Sequence, residues 1–185
     1  MKILKTGLVA LAVILSSSAV QAGNLVGVFS ERESINYNQL DVVLKGKLDK
    51  ELKCLANNIY YEAGSEPFEG KVAVAMVSLN RAESGKFPET ICGVVSQRTV
   101  INKKVICQFS WFCSAKRNGP SSLNDRWEEA MRVAYMVLVE GYRIPALEDA
   151  MYFHASHVRP SWGLPKVMKV GNHIFYRDRN KSIDL

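Results

Sequence analysis

Between Leu52 and Asn80 apolar residues recur at helical spacing on both sides of a Gly and Pro break, a pattern that an extended chain cannot bury on one face. Leu52, Leu55, Ala56, Ile59, Glu62 and Ala63 lie three or four apart, so the spacing predicts an amphipathic helix over 49–63. Gly64 is a natural stop. Pro67 suits the first turn of a second helix, with Glu66 before it and Glu69 inside that turn. Val72, Ala73, Met76, Leu79 and Asn80 give this second helix its inward face. The run over 72–77 has the composition of a strand, but its length and its terminal signals favour helix.

Beyond it, Ser84 to Pro88 reads as a loop, and Ile91, Val94 and Val95 as a short helix. Residues 100–111 are rich in β-branched and aromatic side chains, which predicts a strand or hairpin. Residues 118–122 form a turn. Ser122 or Asn124 then caps a helix whose core face is Trp127, Ala130, Met131, Ala134, Val137 and Leu138, ended by Gly141. Residues 150–153 and 173–176 read as short extended pieces. The whole is α+β, mainly helical, with a small sheet.

The N-terminus has a different task. Lys2 and Lys5 precede an apolar run from Leu8 to Leu15, three serines follow, and Val20-Gln21-Ala22 is a small-residue cleavage site. That is the layout of a secretory signal peptide. The expected organisation is a signal over 1–22, a leader or linker over 23–48, one domain over 49–178 and a tail over 179–185. A length of 185 residues fits one domain. Apolar content of 48% and charge of 23% exclude global disorder. No run reaches the roughly 20 apolar residues of a spanning helix, which excludes a multi-pass membrane protein. The net charge of +6 falls to +4 once the two lysines of the signal are removed. That is too weak to argue for nucleic acid as a partner. Cys54, Cys92, Cys107 and Cys113 are an even set in a chain with an export signal, so two disulfides are expected, with all three pairings open.

Glu62 is the residue that asks for an explanation. It shares the inward stripe with Leu55 and Ile59, and it sits at a helix C-terminus, where the macrodipole disfavours negative charge. Burial and dipole both raise a carboxyl pKa. A carboxylic acid still protonated near neutral pH can give its proton to a glycosidic oxygen. A plainer role is an ion pair with an arginine such as Arg81.

The block Cys54-Leu-Ala-Asn-Asn-Ile-Tyr-Tyr-Glu62-Ala63 is followed by Glu66-Pro67 and then by Gly70-x-Val72-Ala73-Val74-Ala75. Leu79-Asn80-Arg81, Phe87-Pro88, Ile91-Cys92-Gly93-Val94-Val95, Cys107-Gln108-Phe109-Ser110-Trp111 and Gly171-Asn172-His173-x-Phe175-Tyr176 come after it in order. This succession resembles the SleB-like cell-wall hydrolase family, which includes spore-cortex-lytic enzymes. The resemblance spans residues 54–176. It implies a lysozyme-like, lytic-transglycosylase-like domain with a small β-hairpin, acting on peptidoglycan glycan strands between N-acetylmuramic acid and N-acetylglucosamine. It places the family's catalytic glutamate on Glu62, acid to the leaving oxygen and then base to the muramic 6-hydroxyl. The family often has Glu-Ala-Arg-Gly-Glu-Pro where this chain has Glu62-Ala63-Gly64-Ser65-Glu66-Pro67. The missing arginine removes one source of charge tuning and leaves the glutamate in place.

Glu66 is a second carboxylate that could bind substrate or make the enzyme a two-carboxyl hydrolase, and its plainer role is to cap the next helix or to hydrogen-bond loop backbone. Gln108 and Ser110, beside Phe109 and Trp111, suit a sugar with N-acetyl groups, and their stretch resembles that of resuscitation-promoting factors. Tyr60, Tyr61, Tyr152 and Trp162 are candidate sugar-stacking walls, and Trp162, after Pro160, is the one a loop would expose. His154, His157 and His173 raise the alternative of a zinc amidase cutting the stem peptide. Yet residues three apart on an extended run point to opposite faces, and Pro160 argues against a helix that would gather them. A non-catalytic wall-binding module is the third class, and it has no need of an inward carboxyl. The expected protein is exported to a periplasm or to the cell wall outside, takes no cofactor or metal, binds no nucleic acid, has no stable membrane insertion after signal cleavage and acts as a monomer on glycan strands.

Overall fold

The computed structural model describes residues 36–114 and 124–179. The signal at 1–22, the first half of the leader, the turn at 118–122 and nearly all of the tail lie outside the described residues.

The first helix, α1, runs Val42–Ala63. It therefore begins seven residues before the expected 49 and takes in the end of the assigned leader. Asp41 sets this start, because its side chain accepts from the Leu44 amide at 2.9 Å. The periodicity reading began too late because Val42 and Val43 are exposed and add nothing to the buried stripe. Gly64 ends the helix, and a Cβ there would lie 2.4 Å from the Tyr60 carbonyl oxygen. Helix α2, Phe68–Glu83, follows with Pro67 at its N-cap. Residues Val72 to Val77 are wholly buried around its full circumference. That makes α2 the central helix and explains its strand-like composition, since a helix apolar on every side belongs in a core.

Helix α3 is Ile91–Val95, capped by Thr90. Strands β1, Arg98–Ile101, and β2, Lys104–Cys107, form an antiparallel hairpin. Its two-residue turn puts Asn102 and Lys103 at positive φ, as a tight hairpin requires. The hairpin ends before Phe109. Ser110–Cys113 is a helical turn, α4, so Trp111 belongs to that turn rather than to a strand. Helix α5, Asp125–Leu138, is capped by the Asn124 side chain on the Trp127 amide. Its buried face is Ala130, Val133, Ala134, Val137 and Leu138, while Trp127 and Met131 are half-buried.

Strands β3, Ala150–Ala155, β4, Lys166–Val170, and β5, His173–Arg177, form an antiparallel sheet in the order β3-β5-β4. Strand β4 has no counterpart in the sequence reading. It is five residues long, and a register shift between Lys166 and Met168 breaks its alternation. The sheet packs on α2, and α1 packs on α2 and α5. Leu48, Leu55, Ile59, Met76, Leu79 and Phe175 are completely buried between these layers. Each such side chain contributes about 1.5–3 kcal/mol of burial free energy. Disulfides Cys54–Cys92 and Cys107–Cys113 choose one of the three pairings, the first tying α1 to α3 and the second tying β2 to α4.

Candidate active site

Four elements meet at the C-terminal end of α1. The last turn of α1 carries Glu62, α2 carries Arg81, the link from β2 to α4 carries Phe109, and β3 carries Tyr152. The inward stripe that buries Ile59 also leaves Glu62 half-buried at the end of α1. Burial is the main force on it and pushes its pKa up to about 7, against an opposing pull from the Arg81 charge. Glu62 is therefore divided between acid and carboxylate near neutral pH.

Arg81 is only 3% exposed. Burial brings its pKa down to about 10, while Tyr152 and Glu62 act in the other direction, so it stays cationic at pH 7. Its Nε donates to the Met151 carbonyl at 2.7 Å. Its guanidinium carbon lies 5.1 Å from the Phe87 ring centre and 5.6 Å from those of Phe109 and Tyr152. Three aromatic faces thus hold a cation that water cannot reach. Nη1 has no hydrogen-bond partner among the described residues. The preceding Asn80 donates to the carbonyls of Leu147 and Ala150. Asn80 and Arg81 together pin the start of β3 to α2, which brings Tyr152 to the site. Both lie inside α2, which continues to Glu83.

The other wall is aromatic. Tyr61 stacks on Trp111 with ring centres 4.6 Å apart, and Trp111 Nε1 donates to Asn58 Oδ1 at 3.2 Å. Asn58, wholly buried, also donates to Ser78 Oγ. These bonds fix α4 against α1 and α2. Gln108 and Ser110 are exposed on either side of the buried Phe109. Two polar side chains therefore reach solvent next to the residue that touches Arg81. Trp162 lies beyond Tyr152, with ring centres 6.3 Å apart.

Glu66 is placed differently from the expectation of a substrate group. It is 6% exposed, and its carboxylate accepts from the Asn172 amide at 2.8 Å and from Asn172 Nδ2 at 3.2 Å. Gly70 and Gly171 give it room, since a Cβ at Gly171 would lie 2.1 Å from Glu66 Oε2. The backbone carbonyl of Glu66 accepts from Lys71 Nζ, which also pairs with Glu129 at 3.2 Å. Glu66 is a clamp between the start of α2 and the turn joining β4 to β5. A hydrogen bond to loop backbone is the plainer of the readings open to Glu66 in the sequence, but its partner Asn172, 106 residues away, is not legible from any local pattern.

The histidines do not converge. The register pairs His154 with Ile174 and Ala155 with His173, so His154 and His173 stand on opposite faces of the sheet. Both His154 ring nitrogens are engaged, with the Ala155 carbonyl and the Tyr176 hydroxyl. Among the described residues no three His, Cys, Asp or Glu side chains are grouped to hold a metal ion.

A family model described as Cell Wall Hydrolase matches residues 65–176. The spore cortex-lytic enzyme of Bacillus subtilis (strain 168) is 29% identical over 133 residues, which are 70% of this chain and 38% of that protein. The one from Oceanobacillus iheyensis is 31% identical over 135 residues, 72% of this chain and 44% of that protein. The chain thus spans less than half the length of these curated relatives. Among solved structures, the catalytic domain of the Bacillus cereus SleB protein superposes with a TM-score of 0.52 at 29% identity, covering 70% of this chain and 91% of that one. The catalytic domain of the germination-specific lytic transglycosylase SleB from Bacillus anthracis gives 0.53 at 28% identity, covering 69% and 93%.

Proposed function

The chain belongs to the cell wall hydrolase family, and from that premise we propose that it is a peptidoglycan-degrading enzyme, a lytic transglycosylase with Glu62 as its acid and base. The observation that carries the assignment is the Glu62 carboxyl, half-buried at the end of α1 with a pKa raised to about 7. The two SleB catalytic domains support it, since nearly the whole of each aligns with this chain and one is described as a lytic transglycosylase.

The chemistry needs one carboxyl used twice. Protonated Glu62 gives its proton to the oxygen linking N-acetylmuramic acid to N-acetylglucosamine, and the bond from the muramic C1 to that oxygen breaks. Arg81, cationic and close enough to pull on the Glu62 charge, favours the carboxylate that results. The carboxylate then takes the proton of the muramic 6-hydroxyl as that oxygen bonds to C1, closing the anhydro ring and restoring the acid. No water is consumed. Gln108, Ser110, Tyr152 and Trp162 line the approach as substrate groups. Glu66 supports the scaffold instead of acting as a second catalytic carboxyl.

The protein works as an exported monomer in a periplasm or cell wall. Its catalytic unit is the single domain of 49–178, extended back to Val42 by α1. Two disulfides fit an oxidising compartment. Among the described residues no helix is long and apolar enough to cross a membrane.

Mass spectrometry of fragments released from purified peptidoglycan tests the reading, with Glu62→Gln alongside. Anhydro-muropeptides from the wild type and none from the variant are expected. Reducing-end sugars would mean a water-using glycosidase, and free stem peptides would mean an amidase.

A further inference from the structure

The outer face of the sheet carries a group of rings that acid and base catalysis does not use. The register pairs Tyr152 with Tyr176 and His154 with Ile174. Tyr152, His154 and Tyr176 therefore share one face, while Phe153, His173 and Phe175 share the inner one. Trp162 comes over from the loop after β3, with its ring centre 5.6 Å from His154, 6.0 Å from Tyr176 and 6.3 Å from Tyr152. His154 lies nearly parallel to Tyr176 at 5.2 Å, and its Nε2 is 2.9 Å from the Tyr176 hydroxyl.

Trp162 is held in place, yet 42% of it is exposed. Arg179 Nη2 donates to its carbonyl at 2.8 Å. Gly163 follows at a φ of +59°, and a Cβ there would lie 2.7 Å from Arg179 Nη2. The loop is thus shaped around the guanidinium by a residue only glycine fills without strain. These contacts fix the backbone and leave the indole presented to solvent.

We propose that Trp162, with Tyr152, His154 and Tyr176, forms a sugar-binding subsite that stacks the apolar face of an N-acetylated pyranose ring belonging to the glycan strand cut at Glu62. The assignment rests on the glycan-cleaving reading above. Continuity supports it, because Tyr152 touches both Trp162 and Arg81, the neighbour of Glu62. Chemistry supports it as well. A pyranose offers a flat C–H surface with a rim of hydroxyl and acetamide groups, and the patch offers flat rings with phenol, indole and imidazole groups at their edges.

Binding is read in the Glu62→Gln protein, so that no strand is cut. The probes are purified peptidoglycan sacculi in a pull-down and tri-N-acetylchitotriose followed by titration calorimetry. Trp162→Leu keeps an apolar side chain of moderate size but loses the flat ring, and it is expected to weaken both by about tenfold. Trp162→Phe keeps a ring and is expected to retain most of the affinity. Arg179→Ala frees the loop and is expected to fall between them. A Trp162→Leu protein that binds both probes as tightly as its parent overturns the subsite, as does a Phe variant no better than Leu. Failure of the cleavage reading shows separately, as lysis by the Glu62→Gln protein, and leaves the binding data legible.

Discussion

At the residue scale the Glu62 proton bears on stability and, in the proposed role of general acid, on activity. A general acid must start protonated, and the Glu62 pKa is raised to about 7. The rate of glycan cleavage should therefore decline as pH rises through about 7, and a pH–rate profile with no alkaline limb in that region would contradict the assignment. The same shift acts on folding. The folded pKa lies above the ordinary 4.5, so between pH 4.5 and about 7 the folded state keeps a proton that the unfolded chain has released. Stability from this group is complete below pH 4.5 and is lost as pH rises through about 7. Glu62→Gln removes the penalty of the buried charge. The variant should match the wild type near pH 4 and exceed it near pH 8 by on the order of 1–3 kcal/mol, as read from urea unfolding at both pH values. A variant no more stable at pH 8 would mean that Glu62 is better solvated than its position suggests. The position of Glu62 on an apolar stripe was legible in the periodicity, and the family resemblance rather than the spacing singled it out as the candidate acid. The aromatic cage of Arg81 was not, since Phe87, Phe109 and Tyr152 come from three separate segments and no local pattern joins them. The one local hint was the Asn80-Arg81 pair coming soon after the apolar run over 72–77.

At the element scale the helices were readable because each carries its own instructions. The Asn124 cap, the stop at Gly64 and the stripes of α1 and α5 are local facts. Strand β4 and the Glu66 clamp depend on partners distant in sequence, and their short segments say little alone. Disulfide pairing also depends on the tertiary arrangement. The two bridges close loops of very different length, with separations of 38 and 6 residues. In the chain-entropy model the first restricts the unfolded state by about 4 kcal/mol and the second by about 2 kcal/mol. A Cys54→Ala/Cys92→Ala protein should therefore unfold at clearly lower urea than a Cys107→Ala/Cys113→Ala protein. Reversal of that order would show that the hairpin and α4 depend on their bridge for native contacts, beyond any effect on the unfolded chain.

At the scale of the whole molecule charge is unevenly placed. The exposed hairpin carries Arg98, Lys103 and Lys104 with no acidic residue between Arg98 and Cys107. A separate hollow is lined by Glu83, Glu148, Asp149 and Asp178, with Lys86 among them. Peptidoglycan bears carboxylates on its stem peptides, so a small positive excess concentrated on one side can orient the enzyme during encounter. Salt screens such an effect, because the Debye length falls from about 30 Å at 0.01 M to about 3 Å at 1 M. The buried contacts around Glu62 and Arg81 are short-ranged and shielded, so they should respond far less. Raising salt from about 0.02 to about 0.5 M should therefore lower the rate of wall lysis by roughly two- to threefold, with KM rising and kcat little changed. Lys103→Glu/Lys104→Glu should imitate high salt at low salt and lose most of the remaining salt dependence. Should that variant respond to salt like the wild type, steering would not reside in the hairpin, and only the overall charge would remain to account for it.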